Sequence, residues 1–164
     1  MGATTAYIRS ERIAFIALSS AVFAYVLARA ALIPLVHDEA TSFLSYAQSG
    51  RFLPFASMWD ANNHFLSSLL GWIGYKAFGL HLLALRWASV LFFILYAWAA
   101  ERLGAVLRSR TVRWCFWSAL LLCPFLLDFF SLFRGYGPAM ACLLWSLHKL
   151  LRFVQERRTG PLVH

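Results

Sequence analysis

Apolar positions along the chain gather into four long blocks: about Ile13 to Val36, Leu82 to Ala100, Trp114 to Phe133 and Tyr136 to Phe153. Each is near the ~20 residues that carry an α-helix across ~30 Å of hydrocarbon. The pattern predicts an all-α polytopic bundle, with about four transmembrane helices in a single membrane module covering residues 1–164. A fifth apolar stretch, His64 to Gly79, is shorter and is interrupted by Gly71, Gly74 and Lys76. Trp72, Tyr75 and Lys76 near its end are the residue types that settle among headgroups, so this stretch is predicted to lie at the interface as a helix.

Charge orients the four blocks. With the fifth stretch left out of the membrane, Arg9, Arg12, Arg102, Arg108, Arg110, Arg113, Arg152, Arg157 and Arg158 share one side. Only Arg51, Lys76, Arg86 and Arg134 share the other. The positive-inside bias then places both termini in the cytoplasm. Counting the fifth stretch as a span would put the four-Arg cluster and the basic tail outside, against that bias. The expected location is a bacterial plasma membrane.

Composition narrows the class further. The chain is 61% hydrophobic and 13% charged, too apolar for a soluble domain of 164 residues. Its net charge of +8 comes from arginines between apolar blocks rather than from a solvated stripe, so no nucleic-acid partner is expected. Cys115, Cys123 and Cys142 all fall in apolar blocks and read as packing residues. "ARA" at Ala28 to Ala30 imitates a signal-peptide cleavage site, but the apolar run resumes through Val36 and Arg29 suits cleavage poorly.

The candidate chemistry lies in the segment from His37 to about His81. It is far longer than a connector needs to be, and long ordered loops tend to carry function. Its aromatic and aliphatic residues (Phe43, Leu44, Tyr46, Phe52, Phe55 and Trp59) predict short amphipathic helices on the membrane. Asp38 and Glu39 open it. Adjacent helical residues point in different directions, so the two carboxylates cannot share one role. Asp38 is expected just outside a helix, as a cap or as a general base, and Glu39 within its first turn. Asn63 and His64 add an amide and an imidazole. Arg134, in "FRGYG" at the loop side of the last block, is costly beside lipid unless it snorkels or meets an anion. Its guanidinium suits a phosphate. Asp128 and Arg29, both inside apolar blocks, are expected to pair as structural glue. His37, Asp38, Glu39 and His64 match no metal-binding spacing, so neither a metal nor another cofactor is expected.

These elements fall in one order: "HDEA" (His37 to Ala40), "NNHFLSSLLGWIGYKAFG" (Asn62 to Gly79), "ALRWASVLFFILYAWAAERLG" (Ala84 to Gly104) and "CPFLLDFFSLFRGYG" (Cys123 to Gly137). That order resembles the N-terminal module of GT-C class membrane glycosyltransferases, nearest to the protein O-mannosyltransferase and aminoarabinose-transferase superfamily. The resemblance covers about Arg29 to Phe153. It implies transfer of a sugar from a polyprenyl-phosphate donor to an acceptor on the non-cytoplasmic face. Asp38 then matches the base for the acceptor hydroxyl and Glu39 its acidic partner. His64 matches the histidine opening the next motif, although Phe65 and Leu66 stand where the family usually has prolines. Arg134 and Tyr136 match an Arg-x-Tyr element. Lys76 and Arg86, on the same side, join Arg134 as expected phosphate ligands. Such enzymes carry many more spans, so the expectation is an incomplete module, with a second polypeptide as the partner that would complete it. The alternative is a non-catalytic, four-span accessory or lipid-binding subunit.

Overall fold

The computed structural model describes residues 9–53, 55–57, 60 and 62–159, apart from the side chains of 157–159. Trp59 and the side chains of Arg157 and Arg158 therefore lie outside the described residues. Everything regular among the described residues is helical. The elements are α1 (Arg9–Leu32), α2 (His37–Ser42) running on as a π-helical turn (Phe43–Ala47), α3 (Phe65–Phe78), α4 (Leu82–Gly104), α5 (Arg110–Leu121), α6 (Pro124–Ser131) and α7 (Tyr136–Thr159).

Two helices, α1 and α4, are long and apolar enough to cross a membrane. The pair α5 and α6 makes a third if counted as one broken span. Only 22% of the apolar stretch of α1 is buried by the rest of the chain, which leaves most of it uncovered. Although 24 residues long, α7 is not in this group, because His148, Lys149 and Arg152 dilute its apolar run.

Proline sets two of the boundaries. The first apolar block continues to Val36, but its helix stops at Leu32 because Pro34 disfavours helical geometry in the residue before it. The third block, expected as one helix, is instead broken at Leu122–Cys123 and bent by 47°. Pro124 has no N–H to offer the Leu120 carbonyl one turn earlier. The hydroxyl of Tyr96, buried in α4, donates to that carbonyl at 3.2 Å instead, so the break leaves no orphaned acceptor in the core.

The core lies between α1, α4, the α5–α6 pair and α7. Val26, Phe93, Tyr96, Trp117 and Phe130 are its largest or most enclosed members. Ring contacts such as Tyr96–Phe130 (4.9 Å) and Phe93–Phe130 (5.4 Å) tie α4 to α6.

The glycines expected to interrupt the fifth stretch do not break it, for α3 is continuous. They allow it to pack closely. A Cβ on Gly74 would lie 1.8 Å from the Ala84 carbonyl oxygen, and one on Gly71 would strike the Phe133 ring. The Trp87 indole N–H donates to Leu70 O at 3.0 Å across the same seam. Thus α3 is bound to α4 along one side and leaves Phe65, Leu66, Ile73 and Phe78 exposed on the other. The loop before it holds Phe43, Tyr46 and Phe52 buried, whereas Leu44 and Phe55 stand out. Among the described residues between Ala47 and Phe65 there is no further helix, so the short helix that the loop builds there is α2 with its π turn.

The helices alternate in direction. The end of α1, the start of α4 and the α6–α7 turn meet at a loop end, shown by contacts from Arg86 to Ala30 and from Glu39 to Phe133. The starts of α1 and α5 meet the end of α4 at an Arg-rich end. There Glu11 is buried against Arg113 and Arg110, and Glu101 against Arg12 and Arg102.

Candidate functional site

At the loop end, two adjacent carboxylates meet two arginines. Glu39 sits at the third position of α2, and its side chain accepts the Val36 N–H at 3.1 Å, satisfying a donor left free at the helix start. The same carboxylate accepts Arg86 Nε at 2.8 Å and Nη2 at 2.5 Å, with both side chains fully buried. It also accepts the backbone N–H of Phe133. Arg86 gives its remaining three N–H bonds to carbonyls: Ala30 and Ile33 from Nη1 (2.9 and 2.7 Å) and Pro34 from Nη2 (3.2 Å). All five guanidinium donors are therefore used. The extended segment after α1 keeps its carbonyls partnered, and the positive charge faces the negative end of that helix.

Asp38 lies one residue earlier on α2 and points elsewhere. The expectation that it stands outside the helix is not met, because α2 begins at His37. Its Oδ2 accepts Arg134 Nη1 at 2.6 Å, from 96 residues away in sequence, and the two side chains are 41% and 21% exposed. Both residues were expected on one side, with a phosphate as the anion for Arg134; the direct contact with Asp38 is a finding of the structure. Arg134 Nη2 reaches Asn62 Oδ1 at 3.4 Å, and its guanidinium lies 5.3 Å from the centre of the Tyr136 ring. Ser89 Oγ, from α4, donates to the Arg134 carbonyl at 3.3 Å and fixes the turn behind it.

His64 completes the cluster. Its ring meets Tyr136 edge-on at 4.8 Å, and its Nε2 is buried without a hydrogen-bond partner. Burial, and then the neighbouring Arg134 charge, push its pKa below the usual histidine value. Gly135 permits this closeness, since a Cβ there would lie 2.7 Å from His64 Cβ and Cγ. Beside the imidazole a largely apolar groove of about 240 Å³ runs between the start of α3 and α7, lined by Phe65, Leu66, Pro138, Ala139 and Cys142.

Of the other expected site residues, Asn63 turns away. Its amide donates to Phe52 O and Ser57 Oγ and accepts from Ser68, latching the loop onto α3. Lys76 is exposed near the far end of α3, twelve residues and about 18 Å of helix from His64, with its ammonium 5.9 Å from the Tyr75 ring centre. Neither it nor the fully committed Arg86 offers an N–H to a ligand beside Arg134. Asp128 does pair with Arg29, at 2.6 Å, and Arg29 also donates to the Tyr25 hydroxyl at 3.0 Å.

Asn62 and Ser89 join the cluster without having been singled out individually. Asn62 belongs to an amide pair whose two members only the loop path could tell apart, and Ser89 is one small residue inside an apolar helix. Among the described residues no group of three or more His, Cys, Asp or Glu is placed to hold a metal ion, and all three cysteines are free. Comparison with known proteins finds no matching family model, no matching curated protein and no matching solved structure.

Proposed function

We propose that this chain is the N-terminal membrane module of a glycosyltransferase that moves a sugar from a polyprenyl-phosphate donor to an acceptor hydroxyl at the loop end. In this reading α1, α4, the α5–α6 pair and α7 make four passes of a bacterial plasma membrane, and both termini are cytoplasmic. The alternating helix directions and the arginine bias of the opposite end support that orientation.

The observation that carries the proposal is the half-open Asp38–Arg134 pair. A base and a cation in contact at one edge of a helix bundle suit a reaction that removes a proton from one partner and leaves charge on another. The acceptor oxygen attacks the anomeric carbon of the sugar while its proton passes to Asp38. The bond from that carbon to the phosphate oxygen breaks, and the electron pair leaves with the polyprenyl phosphate, whose charge Arg134 meets. An arriving phosphate exchanges for Asp38 on Arg134, which frees the carboxylate to act as base. The apolar groove beside His64 gives the prenyl chain a place next to the reacting group. Glu39 and Arg86, with every donor and both carboxylate oxygens committed, are positioning residues: they lock α2, the end of α1 and the α6–α7 turn in register. Tyr136 and His64 flank Arg134 and shape the donor pocket.

One observation favours a second reading, a non-catalytic accessory or lipid-binding subunit. With Arg86 committed and Lys76 remote, one guanidinium is left to face a phosphate. The deciding assay uses membranes holding the assembled enzyme and a radiolabelled polyprenyl-phosphate sugar. Asp38→Asn is expected to abolish transfer at unchanged protein level, and normal turnover in that variant ends the catalytic reading. Capture of a larger polypeptide, with no donor lipid retained by this chain, supports the accessory one.

A further inference from the structure

At the Arg-rich end, α1 and α4 leave a second groove between them, of about 390 Å³. Its floor is buried and apolar (Phe15, Phe93 and Ala97), and its rim is exposed and apolar (Ile16 and Ile94). It extends along α1 from Arg12 to Phe23, about 16 Å at 1.5 Å per residue. That is roughly half of a ~30 Å hydrocarbon core, the depth of one leaflet.

The mouth of the groove is basic. Arg12 and Arg102 both contact the buried carboxylate of Glu101 through Nε at 3.4 Å, and their side chains remain 54% and 45% exposed. Arg9, three residues before Arg12 on α1, is exposed on the same side of the helix. Three guanidiniums against one carboxylate leave the mouth positive. An aromatic pair marks its level: Trp98 stacks on Trp145 at 4.3 Å, with Arg102 over the first indole (5.8 Å) and Lys149 over the second (4.6 Å). Indoles paired with cations are the side chains that settle at the headgroup boundary.

We infer that this groove is a binding site for an anionic phospholipid. One acyl chain lies on Phe15 and Phe93, and the headgroup phosphate rests on Arg12 and Arg102. The site is at the end of the bundle opposite Asp38 and is separate from the donor proposed above. Its lipid belongs to the opposite leaflet and takes no part in transfer. An acyl chain fits the apolar length, and a negative headgroup fits the positive mouth.

The test uses the full chain reconstituted with phosphatidylglycerol and phosphatidylcholine in equal parts, with retained lipids counted by native mass spectrometry. Phosphatidylglycerol is expected to be retained in preference, and the double variant Arg12→Gln, Arg102→Gln to cut that preference by roughly tenfold or more, for two cations near the surface. Ile94→Trp, which fills the groove from its rim, is expected to reduce retention of both lipids. Should the double variant fail to fold, raising salt on the unaltered chain is expected to erode the preference by screening. Equal retention of the two lipids, or a preference untouched by salt and by the arginine changes, overturns the inference. So does a lipid-free dimer cross-linked through Ile94→Cys, which shows a second copy in the groove. Sugar transfer is not read in any arm, so failure here leaves the proposed activity standing.

Discussion

Asp38 and Glu39 are neighbours on a single helical turn, and each meets an arginine from a distant part of the chain, Arg134 in the α6–α7 turn and Arg86 on α4, yet the two pairs differ in almost every physical respect. The Glu39–Arg86 pair is fully buried, bidentate and saturated. The Asp38–Arg134 pair is single-pronged, and its carboxylate is 41% exposed. A buried pair survives only where hydrogen bonds replace the lost water, and here two backbone N–H groups and three carbonyls do so. The price is that no lone pair or proton of Glu39–Arg86 remains for a ligand. The half-open pair gains less from its own contact and keeps the freedom to exchange partners. Identical functional groups thus serve architecture in one place and are available for chemistry one residue away.

Exchanging the roles of the two carboxylates is the sharpest way to break this contrast. Asp38→Asn is expected to lower sugar transfer by about 10²–10⁴-fold, the range for loss of a general base, measured as initial rates in membranes. Its unfolding midpoint is expected to move little, because exposed pairs contribute only about 0–1 kcal/mol. Glu39→Gln is expected to do the opposite, costing about 3–5 kcal/mol by stranding a buried guanidinium, read by denaturant unfolding in detergent. Replacing both members (Glu39→Gln with Arg86→Met) is not expected to restore stability, since the carbonyls of Ala30, Ile33 and Pro34 then lose their donors. A double variant as stable as the parent would show that the network is dispensable.

Smaller effects test the frame around the pairs. Gly74→Ala is expected to cost about 1–3 kcal/mol, because its methyl group meets a backbone oxygen and α3 must shift on α4. The smallest expected effect belongs to His64. Its pKa is lowered in the folded chain, so below the ordinary value of about 6.5 the unfolded chain binds the extra proton first. Stability contributed by the neutral ring is present above that pH and is lost as pH falls toward the folded pKa. His64→Gln should therefore flatten the decline in unfolding midpoint between about pH 7 and pH 5, and Arg134→Gln, which removes one cause of the lowered pKa, should make that decline smaller. A decline unchanged in His64→Gln would place the titrating group elsewhere.

How much of this was legible beforehand differs between elements and side chains. Apolar periodicity was enough to indicate an all-helical chain and the two clearest candidate spans, because lipid-compatible helices must be long and apolar in local sequence whatever they pack against. Pro34 and Pro124 also stood in the sequence but were read through: the first block was expected to run to Val36 and the third as one helix, and the structure ends one at Leu32 and breaks the other before Pro124. Sidedness alone put the loop carboxylate and the "FRGYG" arginine at one end of the chain's blocks, but their direct contact was not foreseen, because Arg134 was expected to meet a phosphate. Nor was the choice of partner: Arg86 looked like a phosphate ligand equal to Arg134, and Asn63 looked equal to Asn62. Those distinctions depend on burial and on free backbone acceptors supplied by segments tens of residues away. Local sequence therefore determined which helices form and which charges are available. Only the packing of α1, α2, α4 and the α6–α7 turn decided which charges are spent on one another, because a side chain's remaining hydrogen-bonding capacity is a property of its surroundings.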